Sequence, residues 1–317
     1  MMSRRRFRET VEKCRQWNRS HRMKIWEEYL IVESLEQAKN SILDPIDTSH
    51  FIAGGTDLLL EIQQGRRDPY HRLVDVNQIP ELRNLISGDK TMFIGAAVPV
   101  SIITKSELVM KNAMAISEAT GLIGGPQVRN VATLGGNVAH ALPAADGMIA
   151  LVAMDATATI LANGIIEDRP ILSLFKGPGE TTLQNNELII GFLINNHQPC
   201  EGSAFRRIMR PQGVALPILN CAVWIKRTHE FIEDIRIVFG PSGPVPSRAI
   251  GVEMELRGKE FCDENLDIAI DAIRSTVKFR TSQRRATADY RYELAEDLLR
   301  LVVNLAWERT MEKNVSK

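Results

Sequence analysis

Two short loops constrain this chain more than anything else in it. The first is Ala53-Gly54-Gly55-Thr56-Asp57, the second Thr133-Leu134-Gly135-Gly136-Asn137. Each follows a strand-like or apolar run. Glycine permits positive φ and lets a ligand come close to the main chain. Free amides at such a turn, or at the start of the helix after it, are natural donors to phosphate oxygens. Thr56 adds a hydroxyl and Asn137 an amide. Neither loop holds Lys or Arg, and G-x-x-x-x-G-K-S/T is absent, which argues against a Walker-type triphosphate site. The G-x-G-x-x-G fingerprint is absent too, so a Rossmann nicotinamide site is not supported. A lone Gly-Gly pair is most often a tight turn. Two such loops, both with polar donors, suggest one diphosphate gripped from two sides. Asp146 follows shortly after, with two open roles. It accepts hydrogen bonds from sugar or ribityl hydroxyls, or it sits in the dipole field at the start of the helix "GMIALVAM".

The chain has 317 residues, room for two or three subdomains. Its formal net charge is zero, which argues against a general nucleic-acid or membrane-surface binder. That zero hides a basic tail. Residues 1–22 carry eight Arg or Lys against Glu9 and Glu12, and are expected to be an extension outside the fold. They contain no apolar core of a secretory signal, and no apolar run approaches the length of a membrane span. Cys14, Cys200, Cys221 and Cys262 form no C-x-x-C pair, so an iron–sulfur cluster or structural zinc held by this chain alone is not expected. Scattered thiols fit a reducing cytoplasm.

Along the chain, Ser34-Leu35-Glu36-Gln37 has the capping-box pattern and predicts a helix over 35–43. "HFIAGG" reads as a strand entering a glycine turn, and "TDLLLEIQQG" as the helix after it, closed by Gly65. "RLVDV" and "TMFIGAAV" read as strands and "SIITKSELVMKNAMAISEAT" as helical. "GLIGGPQVRN" reads as irregular, and "GPGETTLQNNE" as a polar loop. From about residue 202 the pattern changes to three strands, "SAFRRIMR", "CAVWIKR" and "DIRIVFG", followed by helices. In the last helix Tyr290, Leu294, Leu298, Leu301 and Leu305 recur at helical spacing and are expected to pack into the core. The expected division is 23–198 (two subdomains, about 23–78 and 79–198) and 202–313.

Taken in order, "AGGTDLLLEI", "RLVDVNQIPELRNL", "IGAAV", "GGPQVRNVATLGGN", "DGMIALVAMDA", "GPGETTLQNNELI", "FGPSGPVPSR" and "DYRYELAEDLL" resemble the FAD-binding subunit of the molybdenum hydroxylases, the xanthine dehydrogenase family. The resemblance spans roughly residues 23–310. It implies an α+β fold: a two-subdomain FAD-binding domain of the vanillyl-alcohol-oxidase (PCMH) type, then a smaller C-terminal α/β domain of the CO dehydrogenase flavoprotein type. It implies that Phe51, Ile52, Ala53, Gly54, Gly55, Thr56, Asp57 and Leu58 hold the diphosphate from the first subdomain. Ala132, Thr133, Gly136 and Asn137 would hold it from the second, with Asp146 on ribityl or adenosine-side hydroxyls. Ile189 packs near the cofactor, Ile123 stands where some members carry an aromatic against the flavin, and Arg206 or Arg207 where members commonly have a lysine near the ring.

The chain also departs from the family pattern. His140 and Leu142 stand where members often have Thr and Ser. His140 either bonds a phosphate or ribityl oxygen or is a buried, non-contacting side chain. "RPQGVALP" lacks the Asp often found before "IA", which bears on the usual acceptor, NAD. The resemblance further implies partner subunits carrying molybdopterin and [2Fe-2S] clusters. In that arrangement this chain passes electrons through FAD to NAD or another acceptor and binds no nucleic acid or membrane. Two other readings stay open: a self-contained FAD oxidoreductase of the same fold, and an assembly module that has lost FAD.

Overall fold

Among the described residues, three larger β-sheets follow one another along the chain, accompanied by a two-stranded ribbon, and the first two larger sheets flank the glycine loops. The computed structural model describes residues 25–42, 48–210, 216–282 and 285–311. The basic tail 1–22 and most of the 210–217 stretch therefore lie outside the described residues.

The first sheet comprises β1 (Trp26–Ile31), β2 (Ser49–Ile52) and β3 (Tyr70–Asp75), in the order β1-β3-β2 and all parallel. Helix α1 (Leu35–Ile42) crosses from β1 to β2, and α2 (Leu58–Gln63) from β2 to β3. Ser34 Oγ accepts from the Gln37 N–H at 3.2 Å, as the capping box requires. The Gln37 side chain reaches one residue further back than the motif does, to the Glu33 N–H at 2.8 Å. The first glycine loop is the connection from the carboxyl end of β2 into α2, and α2 is followed by Gly65 at φ +66°. In open α/β sheets the carboxyl ends of the strands are where ligands bind.

The second sheet is antiparallel, in the order β4-β5-β10-β6-β7. Its strands are β4 (Leu85–Ser87), β5 (Thr91–Gly95), β6 (Thr157–Ala162), β7 (Ile165–Pro170) and β10 (Leu188–Asn195). The helical run after β5 breaks into α3 (Val100–Lys105), α4 (Glu107–Asn112) and α5 (Met114–Gly121), because Ser106 caps a new start by accepting from the Val109 N–H. The Gly-Gly-Pro stretch expected to be irregular forms a single turn, α6 (Pro126–Arg129). Gly125 stands at its N-cap and Pro126 at the first position, where the missing N–H has no bond to make. Next come α7 (Leu134–Ala139) and α8 (Asp146–Ala153), the latter buried on every side. The expected polar loop carries a two-stranded ribbon, β8 (Phe175–Gly177) with β9 (Glu180–Thr181). β7 escaped the sequence reading because its residues are largely exposed and show no alternation.

The third sheet, β11 (Glu201–Ile208), β12 (Leu219–Thr228) and β13 (Phe231–Gly240), is antiparallel in chain order. Helices α9 (Ile250–Leu256), α10 (Asp263–Asp271), α11 (Ile273–Thr276) and α12 (Ala288–Met311) follow. Both faces of this sheet are covered. Phe205, Ala222, Trp224 and Val238 join the core of the preceding domain, while Cys221, Val223, Ile225, Ile235 and Ile237 pack among the following helices. Burial on both faces explains the nearly continuous apolar run of β12, which a half-exposed antiparallel strand would not show.

The face of α12 differs from expectation. Ala295, Leu298, Leu299, Val302, Val303 and Ala306 are its core side, whereas Tyr290 and Leu301 are about half exposed. The physical reason is Arg291. It is buried, with its guanidinium donating to the carbonyls of Ile218 and Arg280, so the core face runs through a charged position. A polarity pattern places that position outside.

Candidate functional site

The two glycine loops meet. A Cβ on Gly54 would lie 2.2 Å from the carbonyl oxygen of Val131, so the first loop touches the main chain just before the second. Gly55 takes φ +63°, the left-handed conformation the turn requires. Gly135 serves packing: a Cβ there would strike Ala96 at 2.6 Å, at the end of β5. Gly136 faces outward. Thr133 caps α7, its Oγ1 accepting from the Gly136 N–H at 3.1 Å.

Between the loops runs a groove formed by two adjoining cavities of about 120 and 250 Å³. The first is lined by Phe51, Ile52, Ala53, Gly54, Gly55, Thr56, Asp57, Leu58, Ile123, Ala132, Thr133, Gly136, Asn137 and His140. The second is lined on its far side by Leu183, Gln184, Asn185, Leu188 and Ile189. His50, Phe51, Ala53, Arg67 and Gly136 border both, so the groove is continuous.

The lining can hold an anion at its middle. The N–H groups of Gly54, Gly55 and Thr56 donate to no other described residue. Asn137 Oδ1 accepts from the Met148 N–H at 3.2 Å, which leaves its NH₂ group for the groove. Asn77 pins the first loop from behind, donating to the Ala53 carbonyl at 3.0 Å while bound to Asp75. At the far end, Arg169 grips Glu187 with two nitrogens, and Glu187 in turn accepts from the Gln184 N–H, which fixes that wall.

Leu183, Gln184, Asn185 and Leu188 of the second cavity were not foreseen, nor were three titratable residues of the first, His50, Glu61 and Arg67. His50 stacks on Tyr70 at 4.5 Å, and burial, aided by the charge of Arg67, pulls its imidazole down to about 4. Arg67 Nε lies 3.2 Å from Glu61 Oε2, and His140 Nε2 lies 2.9 Å from Glu61 Oε1. Burial works to raise the Glu61 carboxyl, but His140 and Arg67 hold it below its ordinary value. His140 is not isolated in the core, and the role of bonding a phosphate or ribityl oxygen stays open to it. It lines the groove with Glu61 as its partner. The cue for Glu61 and Arg67 was one of helix geometry: Arg67, just past α2, returns to Glu61 on the groove side.

Asp146, Arg206 and Arg207 are not among the residues lining the two cavities. Arg207 Nη1 meets Asp146 Oδ2 at 2.5 Å, and Asn220 donates to Asp146 Oδ1 at 2.7 Å, in a buried junction between the first and last domains. Burial pushes the Asp146 carboxyl up against the opposing pull of Arg207 and Asn220. Arg206 binds Glu118, which also accepts from Arg309 and from the Phe205 N–H. Among the described residues there is no group of three or more His, Cys, Asp or Glu placed to hold a metal ion. No helix there is long and apolar enough to cross a membrane.

Fold and groove define a class: a two-part cradle for a dinucleotide with a helix-backed sheet appended. The family described as "FAD binding domain in molybdopterin dehydrogenase" matches residues 22–194, and "CO dehydrogenase flavoprotein C-terminal domain" matches residues 203–306. The chain belongs to the FAD-binding subunits of the molybdenum hydroxylases, the flavoprotein oxidoreductases of xanthine and CO dehydrogenase type. It is 27% identical over 258 residues to the xanthine dehydrogenase FAD-binding subunit of Escherichia coli O157:H7, covering 80% of this chain and 87% of that one. It is 30% identical over 258 residues to the carbon monoxide dehydrogenase medium chain of Hydrogenophaga pseudoflava, covering 81% and 89%. The solved carbon monoxide dehydrogenase of Hydrogenophaga pseudoflava superposes with a TM-score of 0.84 at 28% identity, over 89% of this chain and 97% of that one. The α+β fold is accordingly the expected one, with its cofactor FAD.

Proposed function

We propose that this chain is the flavin subunit of a multi-subunit molybdenum hydroxylase. In this reading it receives electrons from the [2Fe-2S] clusters of one partner and delivers them to NAD or another acceptor, while a second partner carries molybdopterin. The observation that carries the proposal is the groove between the two glycine loops, with its unpaired main-chain donors. FAD, when bound there, supplies the interconversion of one-electron and two-electron transfer. The protein's own residues do the holding. The N–H groups of Gly54, Gly55 and Thr56 and the Asn137 amide would take the diphosphate, with Ala132, Thr133 and Gly136 forming the facing wall. Ile189, Leu188 and Leu183 offer an apolar surface at one end of the groove and Ile123 at the other. Asp146 and Arg207 would act by fixing the last domain against the first, and Arg206 likewise through Glu118. The free thiols Cys200, Cys221 and Cys262 support assembly in a reducing cytoplasm.

The test is an absorption spectrum of the purified chain, with the pigment released by heat and identified. Flavin bands and released FAD are expected. A colourless chain that stays colourless after addition of FAD would refute the proposal in favour of the assembly-module reading. Copurified partner subunits, probed for molybdenum and iron, test the complex. Turnover of an alcohol or hydroxy acid by the lone chain would favour the self-contained oxidoreductase instead.

A further inference from the structure

Asp75 and Asn77, in the stretch "RLVDVNQIPELRNL", do not line the groove, yet they reach its first loop. β3 ends at Asp75, which pairs with Ile52 at the carboxyl end of β2, where that loop departs. Asp75 Oδ1 accepts twice at 2.8 Å, from the Asn77 N–H and from Asn77 Nδ2. Its Oδ2 accepts from the Tyr29 hydroxyl at 2.7 Å, across from the edge strand β1. Asn77 Nδ2 also donates to the Ala53 carbonyl at 3.0 Å. Both neighbours of that nitrogen are oxygen acceptors, so the amide of Asn77 faces them only with its NH₂. The network thus decides which way the amide is turned.

The Ala53 carbonyl shares a peptide unit with the Gly54 N–H. The unit is trans, and in a trans peptide the two groups point in opposite directions. Holding the carbonyl back toward Asn77 therefore turns the Gly54 N–H the other way. Gly54 lines the groove, and its N–H donates to no other described residue. A peptide ahead of a glycine flips easily, because φ of glycine is little restricted. Flipped, it would offer a carbonyl oxygen where an anion needs a donor.

We infer that Asn77 is a positioning residue for the cofactor: set by Asp75 and Tyr29, it locks the Ala53–Gly54 peptide with its N–H toward the groove, as a donor to an anionic oxygen of FAD. The inference rests on the groove being the FAD site. One hydrogen bond to a charged group sets the size of the effect, roughly ten- to hundredfold in Kd.

The experiment uses the full chain, isotope-labelled at its glycine nitrogens and freed of flavin. FAD, ADP and riboflavin, which has no phosphate, are titrated against the wild type and Asn77→Asp. That near-isosteric change keeps the main-chain bond to Asp75 but cannot donate to Ala53. The Gly54 amide signal is followed by NMR in the wild type. Expected are a shift of that signal on binding FAD or ADP, and a roughly ten- to hundredfold rise in Kd for both in Asn77→Asp, with riboflavin little affected. A change that merely loosens the fold weakens all three ligands alike. That result, or a wild-type Kd for FAD in Asn77→Asp, overturns the inference, and so does a Gly54 signal that stays in place when FAD binds. The groove assignment survives each of these. Where Asn77→Asp does not fold, Tyr29→Phe carries the same comparison with a smaller rise, about two- to tenfold, and a wild-type Kd there overturns the inference too. A wild-type chain that takes no FAD overturns the groove assignment itself, and this inference with it.

Discussion

Gly54 and Gly55 look interchangeable as letters and differ in what they do. Gly54 allows two main-chain segments to touch, and Gly55 supplies a left-handed turn. Gly54→Ala puts a methyl group against the backbone of Val131 and Ala132, with no flexible side chain to yield. The expected result is a loss of about 1–3 kcal/mol of stability together with reduced flavin content, read by thermal denaturation and by absorbance. Wild-type stability and flavin content would refute the account of the loop contact. Asp146 and Arg207 form the other residue-scale test. They are 61 positions apart and almost wholly buried. Asp146→Ala strands a buried guanidinium and is expected to cost about 3–5 kcal/mol. The double variant Asp146→Leu with Arg207→Met should lose much less. Urea midpoints compare the two, and equal losses would mean that the charge pairing is not the cause. The glycine loops were legible in the sequence because two Gly-Gly pairs, each beside a polar donor, occur together, where a lone pair reads as a tight turn. Glu61 and Arg67 were not, because their value depends on how one turn of α2 faces a histidine from another subdomain. The Arg207 pairing was hidden for the same reason, since spacing carries no information about side chains that meet across a domain boundary.

At the scale of elements, periodicity located the strands and helices well and read the faces less well. β5, β6, β10, β12 and β13 follow their apolar runs, and the long terminal helix was plain. Its buried side was displaced by the sequestered Arg291, an arrangement that depends on carbonyls of Ile218 and Arg280 from other parts of the chain. The corrected face makes a clean prediction. Leu299→Ala, in the core, is expected to cost about 2–5 kcal/mol, while Leu301→Ala, half exposed, should stay within about 0.5 kcal/mol. Chemical denaturation checks both. A large effect at Leu301 in the lone chain would restore the expected stripe.

For the molecule as a whole, acid acts in two stages. Burial pulls His50 and His197 down from 6.5 to about 4. The unfolded chain therefore takes up protons that the folded chain refuses, and stability falls as pH drops from 6.5 toward 4. Below 4.5 a second loss follows. Burial would raise the carboxyls of Glu61 and Glu118, but their basic partners hold them below 4.5, and Arg169 does the same for Glu187. Their contribution is present above 4.5 and disappears as they protonate. Urea midpoints against pH should show the upper limb shrinking in His197→Gln. An unchanged upper limb in both His50→Gln and His197→Gln would remove histidine as its origin.

The third sheet has one more consequence, for descent rather than for stability. Along β12, Ala222 and Trp224 answer to the domain before them, and Cys221, Val223 and Ile225 to the helices after them. Two separate sets of packing constraints are therefore interleaved at alternate positions of one strand. Among diverged relatives, replacements at 222 and 224 should travel with changes in α5 and α8. Those at 221, 223 and 225 should travel with changes in α9 to α12, so that neighbours in the chain evolve as strangers.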